Sequence, residues 1–132
     1  MKVVVASGYF DPLHVGHIEY LERAKTLGDK LIVIVNNDVQ AKLKKGKPFM
    51  SVCDRMIIVE ALECVDEAFK SIDEDATVCQ SLCVLRPDIF AKGGDRTAEE
   101  IPEGPICDKF NIEVVDSLGK KIRSSSDYTG LK

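Results

Sequence analysis

The sequence predicts an α/β fold, with a doubly wound, five-stranded parallel sheet in a single domain. Three observations predict it. Short apolar runs rich in β-branched residues alternate along the chain with segments of helical period, the pattern of parallel strands joined by crossover helices. The run Lys30-Leu31-Ile32-Val33-Ile34-Val35-Asn36 is apolar without alternation, as a strand buried on both faces requires. The length of 132 residues, with 45% hydrophobic and 30% charged, suits one globular core.

Taken in order, Val3-Val4-Val5 forms a first strand and leads through Ser7-Gly8 to Asp11-Pro12, a helix start signal. Ile18, Leu21, Ala24 and Leu27 then recur at helical spacing, which predicts a helix over 18–27. After the strand 30–36, Asn36-Asn37-Asp38 can cap a short helix from Val39 to Leu43. Lys42, Lys44, Lys45 and Lys47 surround Gly46-Lys47-Pro48, a flexible basic loop. Ser51 and Asp54 fit a loose capping box, and Met56, Ile57, Val59, Ala61 and Leu62 supply the apolar face of the helix it opens.

Val65 to Lys70 reads as a third strand and Asp73 to Leu85 as a helix ended by Arg86-Pro87. A fourth strand, Ile89 to Lys92, stops at Gly93-Gly94-Asp95-Arg96. A polar stretch with Pro102, Gly104 and Pro105 leads to a helix near Ile106–Phe110, and Ile112 to Asp116 is the fifth strand. The tail carries Arg123-Ser124-Ser125-Ser126, followed by too few residues for more than a two-turn helix.

A net charge of −4 argues against broad binding to nucleic acid or anionic membranes, and leaves room for a local basic pocket. No apolar run approaches the roughly 20 residues of a membrane span, and Met1–Val5 is too short for a signal peptide. A cytoplasmic location is expected. Five cysteines (Cys53, Cys64, Cys79, Cys83, Cys107) show no paired zinc-type spacing, and no histidine is left to join Cys79 and Cys83. They are expected to be buried free thiols, and no metal site within the protein is expected.

The chemistry concentrates in Gly8-Tyr9-Phe10-Asp11-Pro12-Leu13-His14-Val15-Gly16-His17, which holds both histidines of the chain. The segment sits at the carboxyl end of the first strand, where open α/β sheets bind ligands. Histidines three apart share one helical face. Gly16 lets a ligand approach the backbone, and the free N–H groups of the following helix attract anions. A lone histidine would read as a cap or a packed side chain. Two of them flanking a glycine on a strand–helix turn read as ligand groups.

Four segments should meet at one sheet edge: His14/His17, the basic loop with Arg55, Gly93-Gly94-Asp95-Arg96, and Ser124-Ser125-Ser126. A bound triphosphate needs this inventory of imidazole, ammonium, guanidinium and hydroxyl donors. Each segment alone has a plainer explanation. The lysines could be solvated surface, the serines a helix cap, the glycines a turn, Arg55 a surface ion pair and Asp11 a cap.

The run from Gly8 to His17 resembles the G-x-F-D-x-x-H-x-G-H signature of the cytidylyltransferase-like nucleotidyltransferases. The resemblance covers the chain from Lys2 to about Asp127. It implies a Rossmann-like fold and an enzyme that joins a nucleoside monophosphate to a phosphorylated small molecule, releasing pyrophosphate. It implies catalytic roles for His14, His17 and Lys47. Gly8, Tyr9, Phe10 and Gly16 would then bind nucleotide. So would Lys92, Gly94 and Asp95, which are similar to the family's second glycine–acid motif. Arg123, Ser124, Ser125 and Ser126 would grip the pyrophosphate part. Asp11, Asp38 and Arg55 would line the acceptor side. Mg²⁺ would accompany the nucleoside triphosphate. The implied partners are small-molecule substrates, with no nucleic acid and no membrane, and a second copy of the chain in a homodimer.

Two branches of the family are similar to this chain. The heptose-1-phosphate adenylyltransferases of lipopolysaccharide precursor synthesis resemble it in Leu27-Gly28-Asp29, Val35-Asn36-Asn37-Asp38, Arg55-Met56, Ala61-Leu62-Glu63 and the run from Arg86-Pro87-Asp88-Ile89 to Asp95. The glycerol-3-phosphate cytidylyltransferases resemble it in length and motif order. They carry a basic residue for the acceptor phosphate where Glu63 stands, which favours a sugar acceptor reaching Glu63 with its hydroxyls. Arg123-Ser124-Ser125-Ser126 departs from the small-residue–Ser–Thr–Thr pattern of the heptose enzymes. The resemblance thus implies transfer of AMP from ATP to heptose 1-phosphate. The alternatives are CTP-dependent transfer to glycerol 3-phosphate or a related alcohol phosphate, and a nucleotide-binding domain without turnover.

Overall fold

β-Branched side chains and helical periods resolve into five strands and five helices in a computed structural model, which describes residues 1–93 and 102–118. The strands are β1 (Val3–Gly8), β2 (Lys30–Val35), β3 (Glu67–Lys70), β4 (Ile89–Gly93) and β5 (Glu113–Leu118). The helices are α1 (Val15–Lys25), α2 (Asp38–Lys45), α3 (Val52–Glu60), α4 (Cys79–Leu85) and α5 (Gly104–Lys109). All strands pair in parallel in the order β3-β2-β1-β4-β5. The direction of winding therefore reverses between β1 and β4, and the crevice beyond their carboxyl ends is the ligand-binding position of such sheets.

Alternation along each strand divides the core in two. Val4, Ala6, Leu31, Val33, Val35, Ile89 and Ala91 face Tyr20, Leu21 and Ala24 of α1 and Val52 and Val59 of α3. Val5, Ile32, Ile34 and Phe90 pack on the opposite side with Val78, Leu82, Cys107 and Ile112, the layer of α4 and α5. Helices thus cover both faces, and β2 is buried at five of its six positions. Among the described residues no helix is long and apolar enough to cross a membrane.

The helix expected over 73–85 begins only at Cys79. Asp73 is spent otherwise: its buried carboxylate accepts the N–H groups of Gln80 (2.7 Å) and Ser81 (3.0 Å) and the Ser81 hydroxyl (2.7 Å), capping α4 from a distance. Asp75 turns the chain locally by accepting the Thr77 N–H and hydroxyl. Helix α2 runs past Leu43 to Lys45, so Lys42 and Lys44 are helical and the basic loop starts at Gly46, whose φ of +81° suits glycine. All five cysteines are free as expected, yet Cys53 is exposed and only Cys107 is fully buried.

Glu63 is also not where a sugar-contacting residue would have to be. It is exposed on the turn between α3 and β3, where Asp66 N–H bonds Leu31 C=O near the start of β2. That turn lies at the amino-terminal edge of the sheet, opposite the carboxyl edge that carries the histidines.

Candidate active site

The turn after β1 is shaped by one glycine and one strained residue. Phe10 has φ of +52°, a left-handed backbone costing about 1–3 kcal/mol at a non-glycine residue. This geometry folds its ring back under Gly8, where a Cβ would lie 2.8 Å from the ring Cζ. The ring is 1% exposed, and the His17 ring meets it in a T-shaped contact with centroids 5.0 Å apart. Gly8 therefore leaves space for the ring on which a histidine of the site rests.

His14 and His17 together cap α1. The Gly16 N–H donates to His14 Nδ1 (3.1 Å), and the His14 N–H donates to His17 Nδ1 (3.2 Å). The rings stack with centroids 3.8 Å apart and an angle of 26°. An imidazole that accepts at Nδ1 is neutral there and carries its proton on Nε2. Burial pushes the pKa of His14 down. Burial, then the neighbouring His14 and then Lys44, push His17 down to about 4. At neutral pH the site therefore holds two uncharged imidazoles.

Further contacts fix the surroundings. The Tyr20 hydroxyl donates to Ala91 C=O (2.6 Å) and accepts from the Ser7 N–H (3.3 Å), pinning α1 across the crevice between β1 and β4. Asp11, nearly buried, accepts the N–H groups of Phe49 (2.7 Å) and Met50 (2.8 Å) and so straps the end of the basic loop to the turn. The Lys44 Nζ stands 4.4 Å from the centroid of the Tyr9 ring. On β4, Lys92 Nζ lies 5.6 Å from the Phe90 ring centroid.

Arg55, expected on the acceptor side, is fully buried. Its Nε donates to Met50 C=O (3.0 Å), Nη1 to Tyr9 C=O (2.8 Å) and Asn36 C=O (2.6 Å), and Nη2 to the Asp38 carboxylate (2.8 Å). The guanidinium binds the site's framework together from below, and this geometry does not present it to a substrate phosphate. Asp38, half exposed, is its ion-pair partner. Lys47 is exposed beyond the end of α2. Gly94, Asp95, Arg123, Ser124, Ser125 and Ser126 lie outside the described residues.

The family model described as cytidylyltransferase-like matches residues 5–117. The chain belongs to the cytidylyltransferase-like family. This cytidylyltransferase-like chain is 37% identical over 131 residues to the bifunctional protein HldE of Pelobacter propionicus, covering 98% of this chain and 25% of the relative. It is 47% identical over 102 residues to the bifunctional protein HldE of Citrobacter koseri, covering 76% of this chain and 21% of the relative. The chain thus spans about a quarter or less of the curated relatives it matches. Among solved structures it is similar to a lipopolysaccharide core biosynthesis protein from Thermoplasma volcanium, with a TM-score of 0.75, 31% identity and coverage of 89% of this chain and 96% of that one. A protein of unknown function from Archaeoglobus fulgidus shares the fold, with a TM-score of 0.59 at 17% identity and 94% of each chain covered.

The cytidylyltransferase-like domain is a nucleotidyltransferase domain, and its geometry suits anion chemistry. Neutral Nε2–H donors and the amino end of α1 favour negative oxygens, and Lys44 adds a full positive charge near His17. The sequence pattern puts Lys44 in the basic loop and points to Lys47 instead, whereas Lys44 lies on α2. The missed signal was helix length: extending α2 past Leu43 carries Lys44 to the Tyr9 side of the turn.

Proposed function

We propose that this domain transfers AMP from ATP to the phosphate of heptose 1-phosphate and releases pyrophosphate. The observation that carries nucleotidyl transfer is the imidazole pair, held neutral with protons on Nε2 at the amino end of α1, above the point where the sheet reverses. Support for the acceptor comes from the relative described as a lipopolysaccharide core biosynthesis protein. The runs Arg55-Met56 and Arg86-Pro87-Asp88-Ile89 add to it by their resemblance to the heptose enzymes. Glu63 gives no support, given its distance from the carboxyl edge.

In this reaction an acceptor phosphate oxygen attacks the α-phosphorus in line. A new P–O bond forms as the bond to the bridging oxygen breaks, and pyrophosphate leaves with the electron pair. The acceptor is already anionic at neutral pH, so no side chain has to serve as nucleophile. His14 and His17 donate hydrogen bonds to the oxygens that gain charge, and Lys44 and Lys47 balance the charge of the triphosphate. Magnesium would accompany the nucleotide, drawing its ligands from phosphate and water oxygens rather than from a cage of side chains. Among the described residues no group of three or more His, Cys, Asp or Glu side chains is arranged to hold it. The chemistry it supplies is neutralisation of phosphate charge. The working unit we propose is a cytoplasmic homodimer acting on small molecules.

Steady-state pyrophosphate release, measured with ATP and CTP each against heptose 1-phosphate and glycerol 3-phosphate, tests the proposal. Turnover is expected with ATP and heptose 1-phosphate. Efficient turnover with CTP and glycerol 3-phosphate alone would move the chain to the other branch, and nucleotide binding without pyrophosphate release would make it a binding domain.

A further inference from the structure

The transfer chemistry proposed above gives the Tyr9 ring no step, yet the ring holds a cation of the site. Lys44 Nζ lies 4.4 Å from the ring centroid, inside the roughly 6 Å range over which an aromatic face attracts an ammonium. Both partners stand on fixed supports. The Tyr9 carbonyl is tied to the buried Arg55 guanidinium at 2.8 Å, and the next residue turns sharply in a left-handed conformation. Lys44 rides on α2, whose first turn is held by reciprocal bonds between Asn37 and Gln40. A free lysine side chain loses much rotational freedom when it docks on an anion. A ring already holding the ammonium removes part of that loss in advance.

We infer that Tyr9 is a positioning residue: its ring face holds the Lys44 ammonium beside the histidine pair before a phosphate arrives and keeps it there when one binds. The lowered pKa of His17, to which Lys44 contributes, agrees with that placement. The role of the held cation rests on the triphosphate site proposed above, whereas the holding itself does not.

The test has two arms. In the ligand-free protein, ring currents from Tyr9 are expected to shift the Lys44 ε-methylene proton resonances upfield. The shift should persist in Tyr9→Phe and vanish in Tyr9→Leu. In the kinetic arm, Tyr9→Leu is expected to raise KM for the triphosphate about two- to fivefold, the strength of an exposed cation–π contact, with a smaller change in kcat. The same substitution made on Lys44→Met should add nothing further.

Unshifted Lys44 resonances in the wild-type protein would overturn the inference, whether or not Tyr9→Leu folds. So would a shift that survives Tyr9→Leu, or a KM increase of the same size in the Lys44→Met background. If the wild-type chain releases no pyrophosphate with any substrate pair, the proposed reaction fails, and the resonance arm still decides whether Tyr9 holds Lys44.

Discussion

Helices α1 and α2 begin with the same hydrogen-bond device built from different chemistry. In α1 the reciprocal cap is His14 with His17, and in α2 it is Asn37 with Gln40. In both, the side chain three residues on reaches back to the cap residue's N–H, at 3.2 Å from His17 and 3.0 Å from Gln40. The difference lies at the other end of each side chain. Asn37 Nδ2 donates to the carbonyls of Ser71 and Asp73, and Gln40 Nε2 to those of Asp75 and Thr77, so the amides weld α2 to the segment before α4. Gln40 is fully buried. The imidazoles are only partly buried, and with Nδ1 accepting, each keeps its proton on Nε2. One cap is spent on structure, and the other, in the function proposed above, makes a helix end into an anion-binding group.

The largest effect should come from breaking what joins the two caps. Arg55 bonds Tyr9 C=O next to one of them and Asn36 C=O and Asp38 next to the other. Arg55→Ala would leave those acceptors without it, and unfolding in urea is expected to show a loss of about 3–5 kcal/mol. Arg55→Lys should recover only part of that, because a point charge cannot serve four acceptors spread around a planar fork. A loss under about 1 kcal/mol would show that Arg55 is not the framework residue its contacts make it, and would reopen the acceptor-side role expected from the sequence. Gln40→Ala breaks the structural cap alone. It is expected to cost about 1–3 kcal/mol by the same measurement, while kcat per folded molecule stays near that of the wild type. A large fall in kcat at unchanged stability would erase the contrast between the two caps.

The smallest effect is a slope. The unfolded chain takes up a proton on His17 near the ordinary value of 6.5, the folded chain only near 4. Between these values the unfolded state holds more protons. His17's contribution to stability is therefore complete above about pH 6.5 and is lost as the pH falls toward 4. Protonation also removes the Nδ1 acceptor on which the α1 cap depends. Thermal unfolding followed from pH 7.5 down to 4.5 should fall less steeply in His17→Gln than in the wild type, and parallel curves would show that His17 does not titrate as described.

The sheet was legible because its strands are unbroken β-branched runs and its helices carry apolar residues at their own period, so position alone put Gly8 to His17 at the carboxyl edge. The caps were legible unevenly. Asn37 and Ser51 are ordinary cap residues, whereas the cap reading of the histidines gives way in the sequence to the ligand reading, and α1, expected from Ile18, begins at Val15 with both histidines in its cap. Arg55 is expected on the acceptor side because a guanidinium near a phosphate site reads as a ligand for the phosphate. Its burial follows from three carbonyls contributed by Tyr9, Asn36 and Met50, which sequence distance conceals. Asp73 looks like the start of a helix for a related reason, since a carboxylate can cap a helix from several residues away.

His17→Glu tests the central claim most directly, because a carboxylate three residues after the cap residue can rebuild the capping box but has no N–H to donate to a phosphate. Pyrophosphate release from ATP and heptose 1-phosphate should fall by at least about 100-fold, the usual consequence of removing one donor to a developing oxyanion. The melting temperature near pH 7.5 should stay close to that of the wild type. Near-normal turnover in this variant, with the fold intact, would contradict the account.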